Sequence, residues 1–163
     1  ESIMLGPLNA FVGDSLEDRK NYIWALFRIL VSAMFMTHGY SKLFGESPQA
    51  LTGSGITTLS IGDLISYPIP MDINLLFIAG SIELVGGFFI LVGLWTHLVA
   101  FLTMTLMLMA YLIAHFAWFP TLNGGEMAAL YFLCYLIIFV FGAGPISIDS
   151  WLALRNQEQH EKK

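Results

Sequence analysis

Four long apolar runs constrain this chain more than any other feature. A helix that crosses a bilayer needs about 20 mostly apolar residues, and residues 22–44, 73–95, 97–119 and 126–146 each supply such a run. The interruptions have physical causes. Gly45, Glu46 and Pro48 end the first run, and Thr96 and His97 make a polar turn after Gly93. Pro120 and Asn123-Gly124-Gly125 part the third run from the fourth, which closes on Gly142, Gly144 and Pro145. The chain is 56% hydrophobic and 12% charged, against roughly 45–50% and 25% in soluble domains. So few polar groups cannot cover a water-facing surface. The fold class expected is all-α, an integral membrane four-helix bundle. It comprises an N-terminal arm (1–21), the bundle (22–149) and a tail (150–163). The first run is longer than the apolar core of a signal peptide and no small-residue cleavage site follows it, so it reads as retained.

Lysines and arginines set the orientation. Arg19 and Lys20 precede the first run, and Arg155, Lys162 and Lys163 follow the last, whereas segments 45–72 and 120–125 hold none. The positive-inside rule then places both termini in the cytoplasm and the protein, multi-pass, in the cell's inner membrane. The tail opens with Trp151, Leu152 and Leu154 before turning charged, the pattern of a short interfacial segment. Segment 45–72 is long for a bundle connection. Its apolar residues recur at spacings of three and four, which predicts a short amphipathic helix over 57–66, lying on the outer surface as a lid. The single cysteine, Cys134, can form no intramolecular disulfide and reads as a packed small residue. No basic tract points to nucleic acid.

Ionisable groups are costly inside a membrane, so each one in an apolar run is a candidate functional residue. Arg28 lies about 7 Å to the cytoplasmic side of the first run's midpoint at about 1.5 Å per residue, and Glu83 sits near the midpoint of the second. The two are expected to meet as a buried ion pair that fixes helix register, or Glu83 handles protons. Gly80, Gly86, Gly87 and Gly93 are spaced for close helix packing. At the other end His38, Lys42, His115, Asn123 and Glu126 fall at similar depth in the outer leaflet. Individually they have plainer roles: Lys42 can snorkel, His115 can sit at the interface beside Trp118, and Glu126 suits a helix N-terminus. Together they can line a polar pocket. A quinone headgroup needs hydrogen-bond partners at two carbonyl oxygens, a proton source and an apolar slot, and this set offers them. Metal and haem are poorer fits, because no HxxxH or ExxH spacing occurs.

Several short motifs occur in a telling order: FRILVSAMF, HGYSKLFG, IELVGGFFILVGLWT, the methionine-rich TMTLMLMAY, NGGE and GAGPISID. In this order the chain resembles the DoxX family of four-helix membrane proteins, over about Tyr22 to Trp151. The resemblance implies an association with membrane redox chemistry. Some relatives belong to thiosulfate:quinone oxidoreductases, and others accompany oxidoreductase or thiol-stress complexes. It singles out Arg28, His38, Lys42, Glu83, Asn123, Glu126 and Asp149. No cysteine lies at the outer face to hold a persulfide, so the expectation is a small, non-catalytic membrane subunit of a respiratory or related electron-transfer complex. Its ligand would be a quinone or lipid headgroup, and its partners the bilayer and other membrane subunits. The alternatives are a structural or assembly subunit without chemistry of its own and, more remotely, a small transporter.

Overall fold

Helices dominate the computed structural model, which describes residues 11, 13, 15–61 and 64–161. Most of the N-terminal arm, and the Lys162 and Lys163 used for orientation, lie outside them. Helix α1 spans Lys20–Phe44. A β-hairpin follows, β1 Thr58–Ile61 and β2 Ile65–Pro68. Helix α2 covers Leu75–Val92 and contains a π-helical turn at Ile82–Gly86. Helix α3 is Thr96–Ala114, α4 Glu126–Phe141 and α5 Ile148–Glu161. Of these, α1, α2 and α3 are long and apolar enough to cross a membrane, whereas α4 is apolar but shorter, at 16 residues.

The helix limits follow local chemistry. Asn74 caps α2, its side chain accepting from Leu76 N at 3.0 Å. Gly93 ends α2 in the left-handed region, at φ 70°, which costs glycine little. Helix α3 stops at Ala114, five residues short of the apolar run. There the chain turns back: the Tyr111 hydroxyl donates to Ala117 O at 2.7 Å and His115 Nδ1 lies 3.0 Å from Asn123 O. Helix α4 stops at Gly142, whose φ of 73° again favours glycine.

The expected amphipathic helix at 57–66 is instead part of the hairpin. β1 pairs antiparallel with β2 in the register Thr58↔Pro68 to Ile61↔Ile65. Thr58-Leu59-Ser60-Ile61 and Ile65-Ser66-Tyr67-Pro68 alternate polar and apolar with period two, and β-branched residues favour the pleated surface. That outweighed the weaker three-and-four spacing. Gly62 and Asp63, between the strands, lie outside the described residues. The buried Asn74 anchors this segment: it accepts from Ile56 N (3.2 Å) and donates to Gln49 Oε1 (3.0 Å) and Ala50 O (2.9 Å).

Packing inside the chain is led by Phe35, Ile90, Val99, Ala100, Met107, Tyr131, Tyr135 and Ile138. The Phe35 ring lies 4.8 Å from Tyr135 and 5.1 Å from Tyr131, centroid to centroid, joining α1 to α4. Helices α1 and α2 approach closely at Gly39, where an added Cβ would stand 2.5 Å from Leu84 N and 2.6 Å from Gly80 O. Outward faces are as apolar as inward ones: Leu26, Leu30, Met34, Val85, Phe88, Leu98, Leu133 and Val140 are exposed. Patches of that extent are rare on soluble monomers, and lipid is the solvent they suit.

Candidate functional site

The contact at Gly39 decides which charges meet. It sets Gly39 level with Glu83, whose Cβ would lie 2.9 Å from a Cβ added at that glycine. Lys42 is then less than one turn away on α1. Arg28 is 11 residues from Gly39 in the opposite direction, about 16 Å at about 1.5 Å per residue. The expected Arg28–Glu83 ion pair does not form. Glu83 pairs with Lys42, whose Nζ donates to Oε1 at 2.6 Å and Oε2 at 2.5 Å. The Glu83 side chain is 4% exposed and that of Lys42 29%. Glu83 belongs to the π-helical turn, a distortion that recurs at functional sites and that no local residue pattern announces.

Around the pair lies a cavity of about 200 Å³ lined by Phe35, His38, Lys42, Glu83, His115 and Tyr131, with Met107, Ala110, Met127 and Ala128 closing its apolar side. His38 stands at the rim with its outer edge exposed, its ring edge-on to Tyr131 at 5.7 Å. Tyr131 was not singled out from the sequence, where it is one aromatic among many in ALYFLCYL. Its residue is 7% exposed and its hydroxyl has no hydrogen-bond partner among the described residues. Buried hydroxyls are normally satisfied, by protein, by water or by a ligand. The cavity thus presents an ion pair and two imidazoles to one volume with apolar walls, and the Tyr131 hydroxyl lies buried in its wall.

Two expected members stand apart. Asn123 reaches the cluster through its main-chain carbonyl, bound by His115, while its side chain is exposed. Glu126 is exposed in the first turn of α4, where its charge complements the helix dipole. Among the described residues no group of three or more His, Cys, Asp or Glu is placed to hold a metal ion. Cys134 is a free, half-buried thiol on α4.

Arg28 occupies the opposite end of the helices and is 1% exposed. Its Nη1 donates to Ile90 O (2.6 Å) and Leu91 O (2.8 Å), and its Nη2 to Ile146 O (2.7 Å). It gathers carbonyls left open at the end of α2 and in the turn after α4. Gly93 must be a glycine here, since an added Cβ would lie 2.6 Å from Arg28 Nη1. Asp149 completes this junction by accepting from Trp95 N (2.8 Å) and Thr96 N (2.9 Å), the opening amides of α3. Burial pushes its carboxyl up, but the hydrogen bonds from Thr96 and Trp95 and the nearby His97 outweigh this and hold it below the ordinary carboxylate value.

Comparison with known proteins places the chain in a family. The DoxX family pattern matches residues 23–116, more than half of the chain. An uncharacterized protein of Haemophilus influenzae is 37% identical over 142 residues, covering 84% of this chain and 96% of that protein. No solved structure matches significantly. The match takes in α1, α2 and α3, and with them Lys42, Glu83 and His38; the chain belongs to the DoxX family and is a small membrane protein.

Proposed function

We propose that this chain is a small membrane subunit of a respiratory or related electron-transfer assembly, and that its Lys42–Glu83 cavity receives the headgroup of a quinone. In this reading α4 is a fourth, slightly short span. Both termini lie in the cytoplasm, the cavity lies in the outer leaflet, and the membrane is the cell's inner one. The observation that carries the reading is that the paired Lys42 and Glu83, both imidazoles and the Tyr131 side chain line one cavity. A quinone carbonyl accepts from Tyr131 and the second from His38 or His115. Lys42 and Glu83 supply a donor and an acceptor within one pair, which suits a ligand that gains protons on reduction.

The test is purification from the native membrane in mild detergent, followed by solvent extraction and chromatography of bound small molecules. Quinone in near-stoichiometric amount, depleted in His38→Ala combined with Lys42→Met and Glu83→Gln, which keeps the pair balanced, supports the proposal. A chain that carries none, alone or with its partner subunits, overturns it. A second reading has its own support: the outward apolar faces of α1, α2 and α4 fit partner helices as readily as lipid. A structural subunit would then use the cavity for nothing. It predicts that partner subunits co-purify unchanged when His38 and Lys42 are replaced and no quinone is present in either preparation.

A further inference from the structure

The headgroup cavity has an apolar neighbour. Met107 on α3 and Ala128 on α4 line it and also line a second cavity, of about 270 Å³, between those two helices. The walls of this annex include Leu108, Ala129 and Phe132. Its one side-chain polar group, the Tyr111 hydroxyl, is already spent on Ala117 O. Ala128 and Ala129, adjacent and half-buried, leave open the seam between α3 and α4, which are otherwise in extended contact. A further apolar cavity, about 250 Å³, touches the headgroup site only at Ala110. It lies on the other side of α3 and is bounded by Ile56 and Leu59 of the hairpin segment, so it offers no comparable way out along the α3–α4 seam.

We infer that the ligand of the Lys42–Glu83 cavity carries a single apolar tail, which leaves through the α3–α4 seam past Met107 and Ala128. This rests on the headgroup reading above and sharpens it. One polar chamber beside one lateral apolar annex, with Met107 and Ala128 between them, fits an isoprenoid quinone whose tail passes that pair, and it leaves the second chain of a diacyl phospholipid without a place. Selection by the tail also matches the chemistry of the walls. The headgroup meets few donors, so much of its affinity must come from apolar area removed from water.

The experiment measures binding to the purified full chain in detergent. The probes are a benzoquinone bearing an isoprenoid tail, the same headgroup without a tail, and a diacyl phospholipid as competitor. The wild-type chain is expected to bind the tailed quinone at least about 10-fold more tightly, the equivalent of roughly two buried methylenes. Ala129→Phe, which fills the annex from a position that does not line the headgroup cavity, should abolish that advantage and leave the tailless quinone unaffected. Leu108→Trp, on the facing wall of the annex, serves the same purpose if Ala129→Phe does not fold, as judged by thermal unfolding. Unchanged affinity for the tailed quinone in both variants overturns the tail path, as does equal loss for both quinones. Phospholipid that displaces the tailed quinone at equal concentration overturns the single-tail assignment. Wild-type protein that binds neither quinone overturns the headgroup reading and this inference with it, whereas tailless binding without tail preference overturns only the latter.

Discussion

The two ends of the packed helices each hold a cation, Arg28 buried at one and Lys42 half-buried at the other, and they use it differently. Arg28 spends its guanidinium on three main-chain carbonyls, and Asp149 beside it spends its carboxylate on two main-chain amides. Lys42 spends its ammonium on another side chain, Glu83, next to a cavity and a hydroxyl with no partner. A charge bound by backbone closes helix ends and cannot be withdrawn without opening them. A charge bound by a second charge can exchange its proton or its partner without undoing the fold. The comparison therefore separates a structural end from a chemical one, and mutation can test the separation.

The largest effect is expected at the structural end. Arg28→Leu strips three carbonyls of a donor that is itself buried, at a cost of about 1–3 kcal/mol for each. The sum rivals the whole stability of a typical domain. Membrane yield and the thermal unfolding midpoint in detergent should both collapse, and Arg28→Lys, with one compact donor, should recover only part of the loss. Folded, stable Arg28→Leu protein would break the comparison at its first term.

Next comes the chemical pair. Glu83→Gln leaves Lys42 half-buried without its counter-charge and should cost about 3 kcal/mol. Replacing both, as Lys42→Met with Glu83→Gln, should restore most of the stability while removing bound quinone, because a buried ion pair is often no more stable than apolar residues of similar size. No such rescue is available to Arg28, whose partners belong to the main chain. A double variant as unstable as the single one would make Lys42–Glu83 a second structural lock.

How far this division could be read from the sequence depends on which contacts it needed. The apolar runs and their breaks at Gly45, Pro120 and Gly142 are local signals, and the helices stop at or near them. The grouping of His38, Lys42 and His115 followed from counting residues along each run. Glu83's partner did not. Matching span midpoints set Arg28 within reach of Glu83, but the contact of Gly39 with Leu84 slides α1 along α2 and brings Lys42 level instead. Register between helices is a tertiary property, and no periodicity within one helix reports it. Tyr131 was hidden for a related reason: only the rotation of α4 distinguishes it from the other aromatics of that run. Asn74 carried a visible signal, a capping residue type directly before an apolar run. The hairpin, too, had one, in the period-two alternation of residues 58–61 and 65–68.

A smaller effect belongs to Asp149. Its folded carboxyl titrates below the ordinary value. Such a group stabilises the fold above its unfolded value of about 3.9 and loses that contribution as pH falls through the folded value. Asp149→Asn keeps one acceptor and should lower stability at neutral pH by about 1 kcal/mol, as loss of a helix cap does. The acid side of the stability profile, below about pH 4, should then be less steep than in the wild type. Identical acid limbs in the two proteins would mean that the carboxylate charge at this end does no stabilising beyond its neutral shape.

The smallest effect on stability is the most discriminating. Tyr131→Phe keeps the ring against Phe35 and His38 and deletes a hydroxyl that has no partner in the folded chain. Removing an unsatisfied buried group is near neutral or mildly stabilising, within about 1 kcal/mol. The unfolding midpoint of ligand-free protein should therefore hold or rise slightly. Bound quinone should fall about fivefold, the worth of one hydrogen bond of about 1 kcal/mol. A stable variant with poorer occupancy puts the hydroxyl to work on a ligand, as the chemical end requires. A variant that loses stability without losing ligand would show that Tyr131 is bonded within the protein, and that both ends of the bundle are built to hold the fold.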